Sequence, residues 1–145
     1  MIFTDCFCNS LLVFYTSQNL SFKDGYRLTG QILKDHPSVD GIFGFIDPVA
    51  IGALKRLNDD KIMVPDQVSV IGFSNWFMTK TTSPSLTTID QPGKKIGKRA
   101  FELLIDNLKQ IKAGEVPTSK TIVMPTSIIA RDSTKTLVSE NVTSS

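Results

Sequence analysis

The chain has 145 residues, 41% hydrophobic and 21% charged, which is typical of one globular domain and not of a disordered or fibrous protein. Its net charge of +2, from 16 basic and 14 acidic residues, is too small to indicate nucleic-acid or membrane binding through charge alone. The apolar run "LLVFY" is far shorter than the ~20 residues of a membrane span, and the N-terminal segment lacks the basic start of a signal peptide. We therefore expect a cytoplasmic protein without a membrane partner.

Cysteine and histidine are too scarce to form a metal centre. Cys6 and Cys8 stand one residue apart, and no second cysteine pair or histidine cluster completes a zinc site. We predict free thiols in a reducing compartment, with no metal and no cofactor.

Apolar strand patterns and helical patterns alternate from about residue 11. The stretch "LLVFYTS" predicts a strand, and Leu28, Ile32 and Leu33 mark the inner face of a helix from about Lys23 to Lys34. The next apolar stretch, "DGIFGFI", predicts a short buried strand.

The dipeptide Asp47-Pro48 marks the start of the second helix. Aspartate is a favoured N-cap residue, and proline is favoured at the first helical position. After this helix, "VPDQ" turns the chain and "VSVIGF" predicts the next strand. Continuous apolar runs are typical of parallel strands buried on both faces, so we predict an α/β fold with a doubly wound parallel sheet.

Polar residues follow two of these strands. Asp47 leaves the end of one strand, and Ser74, Asn75 and Trp76 leave the end of the next. Open α/β sheets bind ligands outside the carboxyl ends of their strands, so this pattern predicts a small-molecule site. Alternatives remain open: Asp47 acts as a helix cap only, Ser74 and Asn75 form an ordinary turn, and Trp76 covers the core.

A long amphipathic helix is predicted from about Lys94 to Lys112, where apolar residues recur at helical spacing until Gly114 stops the pattern. "TIVMP" and "TSIIAR" then read as strand-like pieces broken at Pro125. The one histidine, His36, has no nearby nucleophile and acid, and no glycine-rich phosphate motif follows a strand. We therefore predict no catalytic residues and no enzyme activity.

Five segments resemble the effector-binding core of the lac-repressor/galactose-repressor family of bacterial transcription regulators. They are "SFKDGY", "DGIFGFIDPVAIGALKRL", "VPDQVSVIGFSNW", "SPSLTTIDQPGKKIGKRAFELLI" and "MPTSIIARDST", in this order over about residues 12 to 134. The resemblance implies a fold like a periplasmic binding protein, in which two α/β lobes close on a sugar or nucleobase. It also implies that DNA is bound only through a separate helix-turn-helix headpiece, which is absent from this chain.

The resemblance implies essentially one lobe of two. Residues 1–10 match nothing in the family. Residues 11–134 correspond to part of the effector-binding domain, with 11–90 and 126–134 in the C-terminal lobe and 91–125 in the other lobe. We expect residues 135–145 to form a flexible tail. Without the other lobe, the helix from Lys94 should dock elsewhere, pair with a second chain as in a homodimer, or be mobile.

The resemblance also points to ligand contacts. The candidate ligand-binding residues are Leu20, Ile46, Asp47, Ser74, Asn75 and Gln91. Ile46 stands where the family has asparagine, Ser74 where it often has an acid, and Leu20 where it often has a stacking aromatic ring. These departures put a typical monosaccharide in doubt and favour a larger ligand, or one held mainly by the other lobe.

The sequence leaves three functions to distinguish. The first is binding of a sugar-like or nucleobase-like effector in a transcription regulator. The second is solute binding for a sugar transporter, which the lack of a secretion signal disfavours. The third, an α/β enzyme, is disfavoured by the lack of any nucleophile and base.

Overall fold

The computed structural model describes residues 2–5, 12–117 and 119–136. The strands are β1 Ile2–Asp5, β2 Val13–Tyr15, β3 Gly41–Gly44, β4 Ser69–Phe73, β5 Thr87–Asp90 and β6 Ser127–Ile129. The helices are α1 Phe22–Asp35, α2 Asp47–Asp59 and α3 Gly93–Lys112, with a short 3₁₀ turn at Phe77–Lys80. The predicted thiols of Cys6 and Cys8 and nearly all of the predicted tail lie outside the described residues.

The strands form one mixed sheet in the order β2-β1-β3-β4-β5-β6. As predicted, β3 and β4 are parallel, and β5 continues the parallel set. The flanking strands β1 and β6 run antiparallel to their neighbours. β1 comes from the N-terminal stretch that matched nothing in the family, and it pairs with both β2 and β3. The predicted α/β class is confirmed, and its parallel part is three strands wide.

The prediction of a strand at "TIVMP" is wrong. Residues 121–126 have no strand pairing, and only the second piece, Ser127–Ile129, joins the sheet. Ser127, the first residue of β6, lies opposite Asp90, the last residue of β5. Strand β6 therefore starts where β5 ends and runs antiparallel to β5. An apolar run alone does not reveal whether a partner strand is within reach.

Helices α1 and α2 pack together on one face of the sheet, and this packing forms the core. Two glycines allow the close approach of the helices: a Cβ on Gly25 would lie 2.0 Å from the carbonyl oxygen of Val49, and one on Gly52 would lie 2.1 Å from that of Phe22. The largest fully buried apolar side chains are Ile32, Ile42, Val49, Leu57, Val70 and Leu86. The apolar periodicity of α1 therefore marked its buried face correctly, since Leu28 and Ile32 are buried.

The opposite face of the sheet is more exposed. Side chains alternate along the strands, so Ile42 and Val70 point towards the helices while Phe43, Ile71 and Phe73 point away and are only half-buried. The ring of Phe45 stacks on Phe73, with centroids 6.3 Å apart. No α-helix of the described residues covers this surface. We call it the open face and define it by Leu12, Phe43, Phe45, Ile71 and Phe73.

Helix α3 leaves the sheet directly after β5, and none of its residues is buried. Four apolar side chains form an exposed stripe along it: Phe101, Leu104, Leu108 and Ile111. We call this stripe the α3 seam. Among the described helices, none has both the length and the apolar composition needed to cross a membrane.

The edge strand β2 is fastened to the end of α1. The hydroxyl of Tyr15 donates a hydrogen bond to Asp35 Oδ2 at 2.8 Å, and the Tyr15 ring meets the His36 ring edge to face. Burial, followed by the bond to the Asp35 carboxylate and its charge, raises the pKa of Tyr15 to about 12. His36 therefore lies at a helix end against an aromatic ring.

Candidate functional site

The carboxyl ends of four strands meet at one edge of the sheet, which we call the carboxyl edge. Strands β3, β4 and β5 are parallel and therefore end there together. Ile2 of β1 pairs with both Tyr15 and Gly44, so β2 also ends at the level of β3. The segments that follow these strands thus all start at the carboxyl edge, as expected for a ligand site in an open α/β sheet.

Asp47 does not cap its own helix, contrary to the prediction. The N-cap residue of α2 is Ile46, and it makes no side-chain cap bond. The fully buried carboxylate of Asp47 instead accepts two hydrogen bonds at 2.6 Å, from the backbone N–H of Trp76 and from the hydroxyl of Thr88. Space for it exists because Gly72 has no Cβ, which would otherwise lie 2.3 Å from Asp47 Oδ1. Asp47 therefore joins the start of α2 to the ends of β4 and β5.

The residues after β4 form a turn with unusual backbone angles. Ser74 has φ 118° and Asn75 has φ 52°, a region that asparagine tolerates better than most residues. This conformation points the N–H of Asn75 at the hydroxyl oxygen of Thr88, 3.2 Å away, and the next N–H at Asp47. Strained turns of this kind concentrate at binding sites, so the interpretation of an ordinary turn loses support.

The side-chain amide of Asn75 is held by the protein itself. Its Nδ2 donates to Asp90 Oδ1 at 2.9 Å, and its Oδ1 accepts from Arg131 Nη2 at 2.9 Å. The same guanidinium donates through Nη1 to the hydroxyl of Thr79 and to the carbonyl oxygen of Leu86. Asn75 therefore acts first as a link between β5 and the residues that follow β6.

Asp90 and Arg131 were not among the sequence-predicted site residues. Asp90 is the last residue of the strand "TTID", so an acid at the end of a third strand was a readable signal. Arg131 gave no comparable signal, because its role depends on the antiparallel return of β6, which brings it beside β5. Its contacts are long-range and are set only by the tertiary fold.

The more exposed part of the carboxyl edge carries the other predicted residues. Gln91 Nε2 donates to Ser74 Oγ at 3.3 Å. The Trp76 side chain is not part of the core: the residue is 43% exposed, and its ring meets that of Phe77 edge to face at 5.2 Å. Leu20 lies at the same edge and is exposed, whereas Ile46 packs partly against the core.

The structure thus brings four of the six predicted residues into one hydrogen-bonded cluster. Asp47, Ser74, Asn75 and Gln91 are linked to one another directly or through Thr88 and the backbone. Ile46 adjoins the cluster in sequence, and Leu20 shares only the edge. Their roles in ligand binding stay predictions.

The cluster offers hydrogen bonding and ring stacking to a ligand. The cluster contains a carboxylate, a hydroxyl and an amide, and the exposed indole of Trp76 follows it directly in the chain, which is the usual mixture of groups in a small-molecule site. Within the described part of the chain, no three histidine, cysteine or acidic side chains are grouped to hold a metal ion.

Residues 13–134 match the family model described as the periplasmic binding protein-like domain. The chain belongs to this family. The sequence is 36% identical over 107 residues to the HTH-type transcriptional repressor PurR of Vibrio atlanticus, covering 74% of this chain and 31% of that protein. It is 33% identical over 119 residues to the ribose operon repressor of Halalkalibacterium halodurans, covering 82% of this chain and 35% of that protein.

Solved structures of the same family share the fold. The crystal structure of a LacI family transcriptional regulator from Arthrobacter, in complex with lactose, superposes with a TM-score of 0.68 at 28% identity. The match covers 79% of this chain and 42% of that one. The expected resemblance to the effector domains of LacI/GalR-type regulators is thereby confirmed. This chain spans about a third of the length of the two curated repressors.

Proposed function

We propose that residues 13–134 supply one rim of an effector-binding cleft in a cytoplasmic LacI-type transcription regulator. The observation that carries this is the hydrogen-bonded cluster at the carboxyl edge, which follows three neighbouring parallel strands. In a sheet of this type that edge is where a ligand can approach backbone and polar groups together. Operator DNA would be bound by a domain outside these residues.

The groups at the rim favour a ligand rich in hydroxyl groups. Ser74 lacks the charge of the acid that its position often carries in the family, but Asp90 places a carboxylate one strand away, beside the Asn75 amide. Gln91 adds a donor and an acceptor, and Trp76 adds a flat apolar surface. Sugars are recognised by this combination of polar groups and a ring, and the LacI-type regulator from Arthrobacter binds lactose. A saccharide larger than one ring is favoured, because Leu20, Ile46 and Ser74 replace the groups that hold a monosaccharide in the family.

Regulation is better supported than transport or catalysis. The relatives from Vibrio atlanticus and Halalkalibacterium halodurans are transcriptional repressors, which supports regulation over solute binding for a transporter. The polar groups of the cluster form hydrogen bonds with one another, and these bonds hold the segments at the carboxyl edge in place. No hydrogen bond in the cluster joins a nucleophile to a general base. We therefore assign no catalytic residue.

The proposal is tested by nuclear magnetic resonance titration of the isotope-labelled chain with lactose, cellobiose and ribose at millimolar concentrations. We expect at least one sugar to shift the backbone signals of residues 74–76 and 91 selectively. Because one rim supplies only part of a cleft, the dissociation constant should be in the millimolar range, roughly 4 kcal/mol of binding free energy. Absence of selective shifts with all three sugars would count against the proposal.

A matched pair of variants localises the binding. Gln91→Ala removes a side chain of the cluster and should weaken binding severalfold. Gln31→Ala removes the same side chain from the exposed surface of α1 and should leave binding unchanged. Equal effects of both variants, or sub-micromolar affinity of this chain alone, would contradict a shared cleft.

A further inference from the structure

A groove between α1 and α2 carries positive charge only. Its cavity has a volume of about 410 Å³ and is lined by Tyr26, Arg27, Gly30, Gln31, Lys34 and Arg56. Three of these residues are cations, and none is an acid. Arg27, Gln31 and Lys34 follow one another at intervals of four and three, so they lie on the same face of α1. The volume is within the range of roughly 300–1,000 Å³ that is usual for small-molecule sites.

The guanidinium of Arg56 is held in place on one side of the groove. Its Nε donates a hydrogen bond to Asp60 Oδ2 at 2.6 Å, and its Cζ lies 5.3 Å from the centre of the Tyr26 ring. A Cβ on Gly30 would lie 2.2 Å from Nη1, so the glycine leaves the space that the guanidinium occupies. Nη1 and Nη2 donate to no atom of the described residues. Both donors are therefore available to a ligand that carries paired oxygen atoms.

The two cations on α1 keep most of their charge. Arg27 contacts Asp24 at 3.5 Å, the limit of a hydrogen bond, and Lys34 forms no ion pair within the parts of the chain that the structure describes. Asp59 does not neutralise them, because its carboxylate accepts a hydrogen bond from Tyr26 at 3.0 Å and belongs to another ion pair. The carboxyl ends of α1 and α2 add only about half a negative charge each, so the groove stays positive.

We propose that this groove binds the phosphate group of a small ligand, either a phosphate monoester or free phosphate. The two Nη atoms of Arg56 can bind two phosphate oxygens at once, a geometry that a planar guanidinium provides and an ammonium group does not. Arg27 and Lys34 balance the remaining negative charge from neighbouring turns of α1. A nucleic acid fits less well, because the net charge of +2 gives no extended positive surface.

The groove is separate from the carboxyl edge. Helix α2 begins with Asp47 at that edge, and Arg56 follows nine residues later, about 13 Å along the helix axis. A phosphate group in the groove would join α1 to the far part of α2 and leave the carboxyl edge free for another ligand. The phosphate site therefore does not depend on the effector site.

The test is nuclear magnetic resonance titration of the isotope-labelled full chain with glycerol 3-phosphate, inorganic phosphate and glycerol, all at constant ionic strength. We expect glycerol 3-phosphate at millimolar concentration to shift the backbone signals of residues 27–34 and 56, and glycerol to shift none of them. Tighter binding of glycerol 3-phosphate than of inorganic phosphate identifies a monoester as the ligand, and the reverse order identifies free phosphate. Equal shifts with sodium chloride, or shifts centred on residues 74–76, would overturn the proposal.

Matched variants localise the phosphate. Lys34→Gln removes one cation of the groove and should weaken binding about threefold, as is usual for one exposed charge pair. Arg56→Lys keeps the charge but removes the paired donors, and it should weaken binding at least as much. Lys23→Gln, which removes a lysine of α1 outside the groove, is the control and should leave the affinity unchanged. Equal losses in Lys34→Gln and Lys23→Gln would indicate unspecific attraction and contradict a defined site. Circular dichroism verifies that each variant is folded.

Discussion

Asp47 shows how one residue at the carboxyl edge serves the fold and the site together. Its carboxylate is fully buried and accepts hydrogen bonds from Trp76 and Thr88, which belong to two other segments of the chain. These bonds hold the turn after β4 in its strained conformation and so fix the positions of Ser74 and Asn75 at the carboxyl edge. Asp47 therefore supports the candidate site from the buried side of the cluster, while Ser74 and Gln91 lie nearer to solvent.

Replacing Asp47 should destabilise the protein in a graded way. Asp47→Ala leaves the buried hydroxyl of Thr88 without an acceptor, which typically costs ~1–3 kcal/mol, and it also removes the acceptor of the partly buried N–H of Trp76. Asp47→Asn should cost less, because its amide oxygen can still accept a hydrogen bond. The free energy of unfolding in urea measures both changes.

The control for Asp47 is Asp66→Asn, which removes one charge from an exposed position in the turn before β4. It should change the free energy of unfolding by less than about 0.5 kcal/mol, as is usual for surface substitutions. If Asp47→Ala and Asp66→Asn had the same effect, the hydrogen bonds of Asp47 would not stabilise the fold.

At the scale of elements, sequence patterns predicted the helices better than the strands. Helix α1 was expected at about Lys23 to Lys34 and spans Phe22–Asp35, because its apolar side chains recur along one face. The strand expected at "LLVFYTS" contains only Val13–Tyr15. A helix makes its hydrogen bonds within itself, whereas a strand extends only as far as its neighbours pair with it.

The contact between α1 and α2 depends on glycine, and substitution should show it. Gly25→Ala gains up to about 1 kcal/mol of helix propensity but forces a methyl group against the backbone of Val49. Overpacking of this kind costs ~1–3 kcal/mol or more, and here backbone must move, so the net effect should be destabilising. Thermal unfolding measures the loss.

Gly97→Ala in α3 is the matched control for Gly25→Ala. No atom lies within 4 Å of the added Cβ, so only the gain in helix propensity of about 1 kcal/mol should remain. The two substitutions are chemically identical, and we expect their effects on helix or protein stability to have opposite signs. Stabilisation by Gly25→Ala would show that α1 and α2 are not closely packed in solution.

At the scale of the whole molecule, stability should be unevenly distributed. Helices α1 and α2 and the parallel strands share one buried core, whereas α3 buries none of its residues. Elements with few buried contacts open locally without unfolding of the rest. At low protein concentration, hydrogen exchange measured by mass spectrometry should therefore be slow in α1, α2 and β3–β5 and fast in α3.

Helix α1 is the internal control for hydrogen exchange, because five of its residues are buried. Exchange in α3 as slow as in α1 would contradict the uneven distribution of stability.

The sequence by itself determined the three helices, the strands β2, β3, β4 and β6, the buried face of α1, the family, and the edge to which Asp47 and Ser74 belong. These features follow from local patterns, since periodicity and turn residues act over a few neighbours along the chain. Only the tertiary structure decided that Asp47 bonds to β4 and β5 segments and not to its own helix, and that Arg131 holds Asn75. Those bonds join residues 29 to 56 positions apart, and their geometry exists only once the strands are paired.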